Sequence, residues 1–138
     1  MAQKFLIFSF LFTLIFFINK VSSETIYGKP KIIDGDTIHI GSKKIRLHAI
    51  DAPETKQKCS KEEIQWNCGL ESTKFLINLI GEDKIECITN GRDKYKRYIG
   101  VCYKNNLDLN SQMVANGWAI AYRYYSLDYI KEEELAKL

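Results

Sequence analysis

The sequence of 138 residues is short of proline, histidine and methionine, with two of each. It holds no internal repeat, no low-complexity tract and no Pro/Gly linker past residue 24. A chain of this size without a linker is read as one domain around one core. Long apolar runs are also missing. The longest, Phe5 to Ile18, has 14 residues, short of the roughly 20 that cross a hydrocarbon core. Lys4 precedes that run and Val21-Ser22-Ser23 follows it, so residues 1–23 are expected to be a secretory signal cleaved near Ser23–Glu24. Lys20 leaves a retained signal-anchor as the alternative. Nor is there a strong charge of one sign. Without Lys4 and Lys20 the mature part keeps 18 Lys+Arg against 17 Asp+Glu, a net of +1. That excludes a basic protein coating nucleic acid through its overall field; polyanion affinity has to come from local placement of charge and aromatics.

No C-x-x-C pair is present, which sets a zinc site aside. The four cysteines, Cys59, Cys68, Cys87 and Cys102, all follow the leader, and an even count in an exported chain reads as disulfides. Three pairings are possible. Cys59–Cys68 and Cys87–Cys102 are expected, because each joins sequence neighbours and the second links two segments that read as hairpin partners. A bridge across 87–102 adds about 3 kcal/mol in the chain-entropy account.

What the chain does have is a succession of short β segments. Ile26 to Ile33 and Asp36 to Ile40 read as strands, Gly41-Ser42 as a hairpin turn, and Lys44 to Ala49 as the return, ended ahead of Pro53. Leu70, Phe75, Leu76, Leu79 and Ile80 form a helical stripe stopped by Gly81. Lys84 to Thr89 and Arg97 to Tyr103 are strands around Asn90-Gly91, with the loop running on to Tyr95 or Lys96. A short helix is expected from an Asn110 N-cap to Gly117, a last strand over 118–122, and a final helix over 127–138 capped by Ser126. Five strands with a helix after the third fit a small closed Greek-key barrel, mainly β with about three peripheral helices.

Charge is concentrated in two places. Residues 33–55 carry I-I-D-G-D-T-I and then R-L-H-A-I-D-A-P-E-T, and 92–97 read R-D-K-Y-K-R. Carboxylates grouped at strand ends repel one another and lose hydration unless a cation or a substrate sits among them. Asp34 and Asp36 share one face of a strand, with Gly35 allowing a kink. Short carboxylates suit a hard metal, and the Arg46 and Arg97 guanidinium forks suit a phosphate. Glu54, just past rigid Pro53, is placed to hold or deprotonate a water. These are the parts of a metal-dependent phosphodiesterase.

The segments I-I-D-G-D-T-I, R-L-H-A-I-D-A-P-E-T, D-K-Y-K-R and A-I-A-Y-R-Y, in that order and spacing, resemble the thermonuclease (staphylococcal nuclease-like) family over nearly all of 26–137. The resemblance implies an OB-type five-stranded barrel with three helices. It implies a calcium-dependent nuclease acting on DNA and RNA with little sequence specificity and leaving 3′-phosphorylated products. It further implies Asp36 and Asp51 as carboxylate ligands of one Ca2+ and the backbone carbonyl of Ala52 as a third ligand, where the best-known relative has threonine. Asp34 would stand behind them. Arg46, Glu54 and Arg97 match the catalytic positions, and Lys94, Tyr95, Tyr122 and Tyr124 are the candidate substrate contacts. His39 and His48 match no catalytic position and are read as structural or exposed; Trp66 and Trp118 are assigned to packing.

Two features depart from the family. The Cys59–Cys68 pair is expected to tie down the 56–69 loop, and the final helix, read to Leu138 without the lysine-rich stretch usual there, is expected to bury less apolar surface. The mature protein is expected to be a monomer without stable membrane association. The alternatives are an inactive OB module, which would bind nucleic acid without cleaving it, and a disulfide-stapled interaction domain indifferent to metal and to Arg46.

Overall fold

The computed structural model describes residues 23–138; apart from Ser23, the leader expected over 1–23 lies outside the described residues. The chain forms strands β1 (Ser23–Gly28), β2 (Pro30–Ile32), β3 (Thr37–Ile40), β4 (Lys43–Leu47), β5 (Ile50–Asp51), β6 (Cys59–Lys61) and β7 (Ile64–Trp66). Helix α1 (Cys68–Ile80) follows, then β8 (Ile85–Arg92), β9 (Tyr98–Lys104) and β10 (Leu107–Asp108). Helix α2 (Leu109–Ala115), β11 (Ile120–Ala121) and α3 (Ile130–Ala136) complete it. The main sheet runs β1-β8-β9-β4-β3-β2, with β10 paired to β9. Strands β1 and β2 stand at opposite ends of that order yet only Lys29 separates them, so the sheet has to curl back on itself. Counted as one bent strand, β1–β2 joins β3, β4, β8 and β9 in the five-stranded OB-type barrel that the sequence suggests.

The strand expected over 26–33 is thus two segments with different partners, because Pro30 has no N–H for a ladder and opens the second. Alternation along β4 turns Ile45 and Leu47 into the core and leaves Arg46 on the outer side, in register with Thr37. Ile38, Ile45, Leu47 and Ile85 from the barrel meet Leu76 and Ile80 of α1 and Leu109, Met113 and Val114 of α2 in one buried cluster. Each such side chain contributes about 1.5–3 kcal/mol by leaving water. Both disulfides pair as expected, Cys59–Cys68 and Cys87–Cys102, the latter joining residues directly opposite on β8 and β9.

Other boundaries move for identifiable reasons. The β8–β9 connection does not turn at Asn90-Gly91; β8 continues to Arg92 through a bulge after Thr89. The turn is made by Asp93, whose Oδ1 accepts from the Tyr95 and Arg97 backbone N–H groups (2.9 and 3.0 Å). Helix α2 is capped by Asp108, which accepts from the Ser111 N–H at 2.9 Å, and not by Asn110. Asn110 is fully buried: its Oδ1 accepts from the Cys102 N–H, and its Nδ2 donates to the His48 and Gly100 carbonyls. A side chain committed to those groups is not available as a cap. The last strand shrinks to Ile120–Ala121, paired with β5. Helix α3 begins at Ile130 instead of near Leu127, since Tyr129 is buried with its hydroxyl donating to Asp108 (3.2 Å) and the chain turns to place it there. Ser126 accepts from the Asp128 N–H within that turn. Among the described residues no helix is long and apolar enough to cross a membrane.

Helix α3 is fastened to β11 by Glu133, which accepts from Ala121 N (3.1 Å), Arg123 Nη2 (2.6 Å) and Lys137 Nζ (3.1 Å). Arg123 foremost, with Lys137 and Ala121, holds its carboxyl down to about 2 against the effect of burial. A depressed folded-state value means that the contribution is present above the ordinary value of 4.5 and lost as pH falls toward about 2. Glu133→Gln is therefore expected to cost about 1 kcal/mol at neutral pH, the scale of a screened charge pair, in urea unfolding. The gap to the parent closes in acid; a gap unchanged at pH 3 contradicts this role.

Candidate active site

The loop between β2 and β3 is folded tightly by bonds from the Ile33 and Asp34 N–H groups to the Thr37 carbonyl (2.9 and 3.3 Å). Within it the Asp34 carboxylate accepts from the Asp36 N–H at 3.0 Å, and both aspartates are buried. Gly35 is needed because a Cβ there would lie 2.2 Å from Ser72 Oγ and 2.7 Å from Ala52 Cβ. Asp36 is met from three sides. Its Oδ1 accepts from Thr37 Oγ1 (3.0 Å), its Oδ2 from the Ala52 N–H (2.7 Å), and Arg46 Nη1 stands 2.6 Å from the same Oδ2. Arg46 Nη2 donates to Asp51 Oδ1 at 3.0 Å, so one guanidinium spans both carboxylates. Burial, reinforced by the neighbouring Asp34 charge, still pushes the Asp36 carboxyl up to about 7 against the pull of Arg46.

Arg97 comes from the other side. Its Nε donates to Asp93 Oδ2 at 2.8 Å and its Nη1 lies 3.4 Å from Thr37 Oγ1. Thr37 thereby links Arg97 to Asp36, and a polar chain runs from Asp93 through Arg97, Thr37, Asp36 and Arg46 to Asp51. Burial works against the Asp93 charge, but the hydrogen bonds and charge of Arg97 outweigh it and hold that carboxyl below the usual range.

Glu54 is exposed at the rim, and its carboxyl is raised by partial burial, then by the charge and hydrogen bond of Asp34, with Arg46 opposing. Its backbone is rigidly held: the Glu54 carbonyl accepts from Gln57 N (2.7 Å), Thr55 Oγ1 donates to the Ile33 carbonyl (2.8 Å), and the Gly69 N–H bonds the Gln57 carbonyl (3.1 Å). The start of α1 packs so closely on this loop that a Cβ at Gly69 would fall 1.7 Å from the Glu54 carbonyl oxygen.

A family profile described as "Staphylococcal nuclease homologue" matches residues 44–138. The chain belongs to this family. Among its relatives, the succinoglycan biosynthesis protein ExoI of Rhizobium meliloti (strain 1021) is 34% identical over 102 residues, covering 72% of this chain and 53% of that protein. An uncharacterized endonuclease of Haemophilus influenzae is 35% identical over 114 residues, 78% of this chain and 59% of the relative. The endonuclease YhcR of Bacillus subtilis (strain 168) is 32% identical over 109 residues, 71% of this chain and 9% of the relative. The chain thus spans between half and two thirds of the length of the first two.

Of the residues expected from the staphylococcal nuclease resemblance, Asp34, Asp36, Arg46, Asp51, Ala52, Glu54 and Arg97 come together. Lys94 and Tyr95 lie at the adjoining turn, where the Lys94 ammonium and the Arg97 guanidinium sit 5.1 and 5.4 Å from the centre of the exposed Tyr95 ring. Tyr122 and Tyr124 pack instead on Tyr125, with centroids 5.1 and 5.4 Å away. It is Tyr125 that lines the crevice with Arg46, Asp93 and Arg97. Sequence reasoning did not single out Tyr125, Thr37 or Asp93. The last two stand inside the quoted D-G-D-T and D-K-Y-K-R segments, and the registers of β3 with β4 and of the Asp93 turn reveal their parts. His48, expected to be structural or exposed, lies with its Nε2 3.2 Å from Asp128 Oδ2.

Among the described residues no three His, Cys, Asp or Glu side chains form a metal cage. The donor set is oxygen only: two carboxylates plus the Ala52 carbonyl, which accepts no hydrogen bond among the described residues. An all-oxygen donor set of this kind fits a hard dication such as calcium and not a soft metal. Gly69→Ala is expected to cost about 1–3 kcal/mol in urea unfolding, as the Glu54 loop is forced off the helix. An unfolding midpoint equal to the parent's would contradict this packing.

Proposed function

We propose that the chain is a secreted, calcium-dependent nuclease that hydrolyses phosphodiester bonds of DNA and RNA with little sequence specificity. The observation that carries this reading is the pair of arginines fixed on one carboxylate chain. Arg46 is held in place by Asp36, 2.6 Å from its Nη1, and by Asp51, 3.0 Å from its Nη2. A guanidinium fixed in this way beside Arg97 suits the planar recognition of a phosphate. The relatives named as endonucleases support the same class.

In this reading Asp36, Asp51 and the Ala52 carbonyl hold calcium, with Asp34 fixing the Asp36 loop. Bound calcium supplies Lewis-acid polarisation of a phosphoryl oxygen. Arg46 and Arg97 hold the other oxygens and offset charge as it grows on them in an in-line displacement. Glu54, on its anchored loop, takes the proton of the attacking water as the new P–O bond forms and the P–O5′ bond breaks. The departing O5′ gains a proton from solvent, giving a 3′-phosphate and a 5′-hydroxyl. Lys94, Tyr95, Tyr122 and Tyr124 contact the nucleotide, by charge and by stacking that tolerates any base. Residues 1–23 act as the export signal and 24–138 as the mature monomer. The two disulfides favour an oxidising compartment, where calcium is plentiful enough for a site of few carboxylates.

Incubation with single- and double-stranded DNA and with RNA is expected to give cleavage in calcium that a chelator abolishes. Arg97→Ala, checked for folding by circular dichroism, should lower kcat by about 10²–10³-fold, the scale of a lost transition-state donor. Binding without cleavage would point to an inactive module instead. The active form of Glu54 is the carboxylate, and its environment raises the pH at which it takes up a proton. Cleavage requires that carboxylate, so kcat/KM should fall along an acid limb as Glu54 takes up its proton. A profile flat down to pH 4 would exclude Glu54 as the base.

A further inference from the structure

Beside the candidate active site, and sharing Asp51 and Ala52 with it, lies a cavity of about 280 Å3. Its walls are Trp66, Trp118, Pro53 and the Cys59–Cys68 disulfide. Resting on the nuclease reading above, we propose that this cavity is a subsite for one nucleobase of the substrate strand, separate from the tyrosine cluster.

Several observations converge on that occupant. Strands β6 and β7 form a two-stranded sheet apart from the barrel, and the disulfide pins that hairpin to the start of α1. The hairpin carries Trp66 to the cavity and leaves it 42% exposed. The second indole is braced from behind: Trp118 stacks on Phe75 at 5.9 Å between centroids and meets the edge of Trp66 at 6.4 Å. An indole held rigid and open to solvent is a stacking platform with its ordering cost already met. The volume lies just below the roughly 300–1,000 Å3 of whole small-molecule sites, which admits one planar ring system and not a run of nucleotides. Gln57 adds a polar edge. Its Oε1 accepts from the Glu54 N–H at 3.2 Å, fixing the amide, while its Nε2 has no partner among the described residues. Because Asp51, Ala52 and Pro53 line the cavity and Arg46 bonds Asp51, an occupant would neighbour a phosphate held by Arg46. None of Tyr122, Tyr124 and Tyr125 lines this cavity, so the two aromatic clusters flank the β11 segment and suit bases on either side of the cleaved bond.

The test exploits the fact that Trp66 and Trp118 are the only tryptophans in the sequence, so tryptophan emission, excited selectively beyond the tyrosine absorption band, reports on this cavity. The full chain, with chelator present to prevent cleavage, is titrated with a short oligonucleotide and with an abasic strand of equal length. The oligonucleotide is expected to perturb the emission saturably, and the abasic strand to do so at least fivefold more weakly. Trp66→Ala, checked for folding by circular dichroism, should weaken oligonucleotide binding in fluorescence anisotropy by about 5- to 150-fold, the equivalent of one stacked base. Trp66→Phe should retain most of the affinity. Equal responses to the two strands, or Trp66→Ala binding within twofold of the parent, would overturn the subsite. If the parent cleaves in calcium while these arms fail, only the subsite falls; Trp66-dependent binding without cleavage would remove the nuclease reading and leave the base subsite.

Discussion

The Asp36 carboxylate is the constraint around which this molecule is organised. It is buried at the end of a β strand, and the chain brings Arg46 from the next strand, the Ala52 N–H from the following loop and the Thr37 hydroxyl to meet it. Leaving such a charge without its partner is costly, on the order of 3–5 kcal/mol when one side of a buried pair is removed. The segments that carry the clustered charges of the sequence are therefore held together by electrostatics as much as by the barrel beneath them. Even so, burial raises the Asp36 carboxyl against the pull of Arg46. The oxygen-only donor set of Asp36, Asp51 and the Ala52 carbonyl gives the calcium reading its physical basis.

Around this centre the fold separates rigid support from exposed chemistry. The barrel fixes Arg46 by alternation along β4 and sets Thr37 opposite it. The Asp93 turn fixes Arg97 by a side-chain bond and two backbone bonds. The Glu54 loop is clamped between the Asp34 turn and the first turn of α1, where only glycine fits at position 69. Each reactive side chain thus reaches solvent from a backbone that is itself tied down, as preorganisation requires. The disulfide at Cys59–Cys68 extends the same logic to Trp66.

Much of this was legible before any coordinates, for reasons that differ by element. The barrel strands announce themselves by alternation, as in β4, and the carboxylate and arginine positions by the resemblance of D-G-D-T, R-x-x-x-x-D-x-P-E and D-K-Y-K-R to the staphylococcal nuclease family. Both disulfides follow from neighbouring cysteines in hairpin-like segments. What sequence could not reveal depends on tertiary context. Asn110 has the residue type of a cap, yet it satisfies buried backbone groups of β9 and the segment after β4, and Asp108 caps instead. Asn90-Gly91 has the look of a hairpin turn, yet the Asp93 carboxylate moves the turn downstream. The β6–β7 hairpin has no clean alternation, and its pairing rests on the disulfide at its base. Tyr125 has no local mark that distinguishes it from Tyr122 and Tyr124; only packing selects it.

The central claim is that Asp36 and Asp51 form a calcium site beside Arg46, and direct calorimetric titration of calcium into the folded chain tests it independently of any catalysis. The account predicts one site with a dissociation constant of about 10⁻⁴–10⁻³ M, as for few-carboxylate extracellular sites, and its loss in Asp36→Asn. A parent chain that binds no calcium, or an Asp36→Asn variant that binds it as the parent does, would contradict the account.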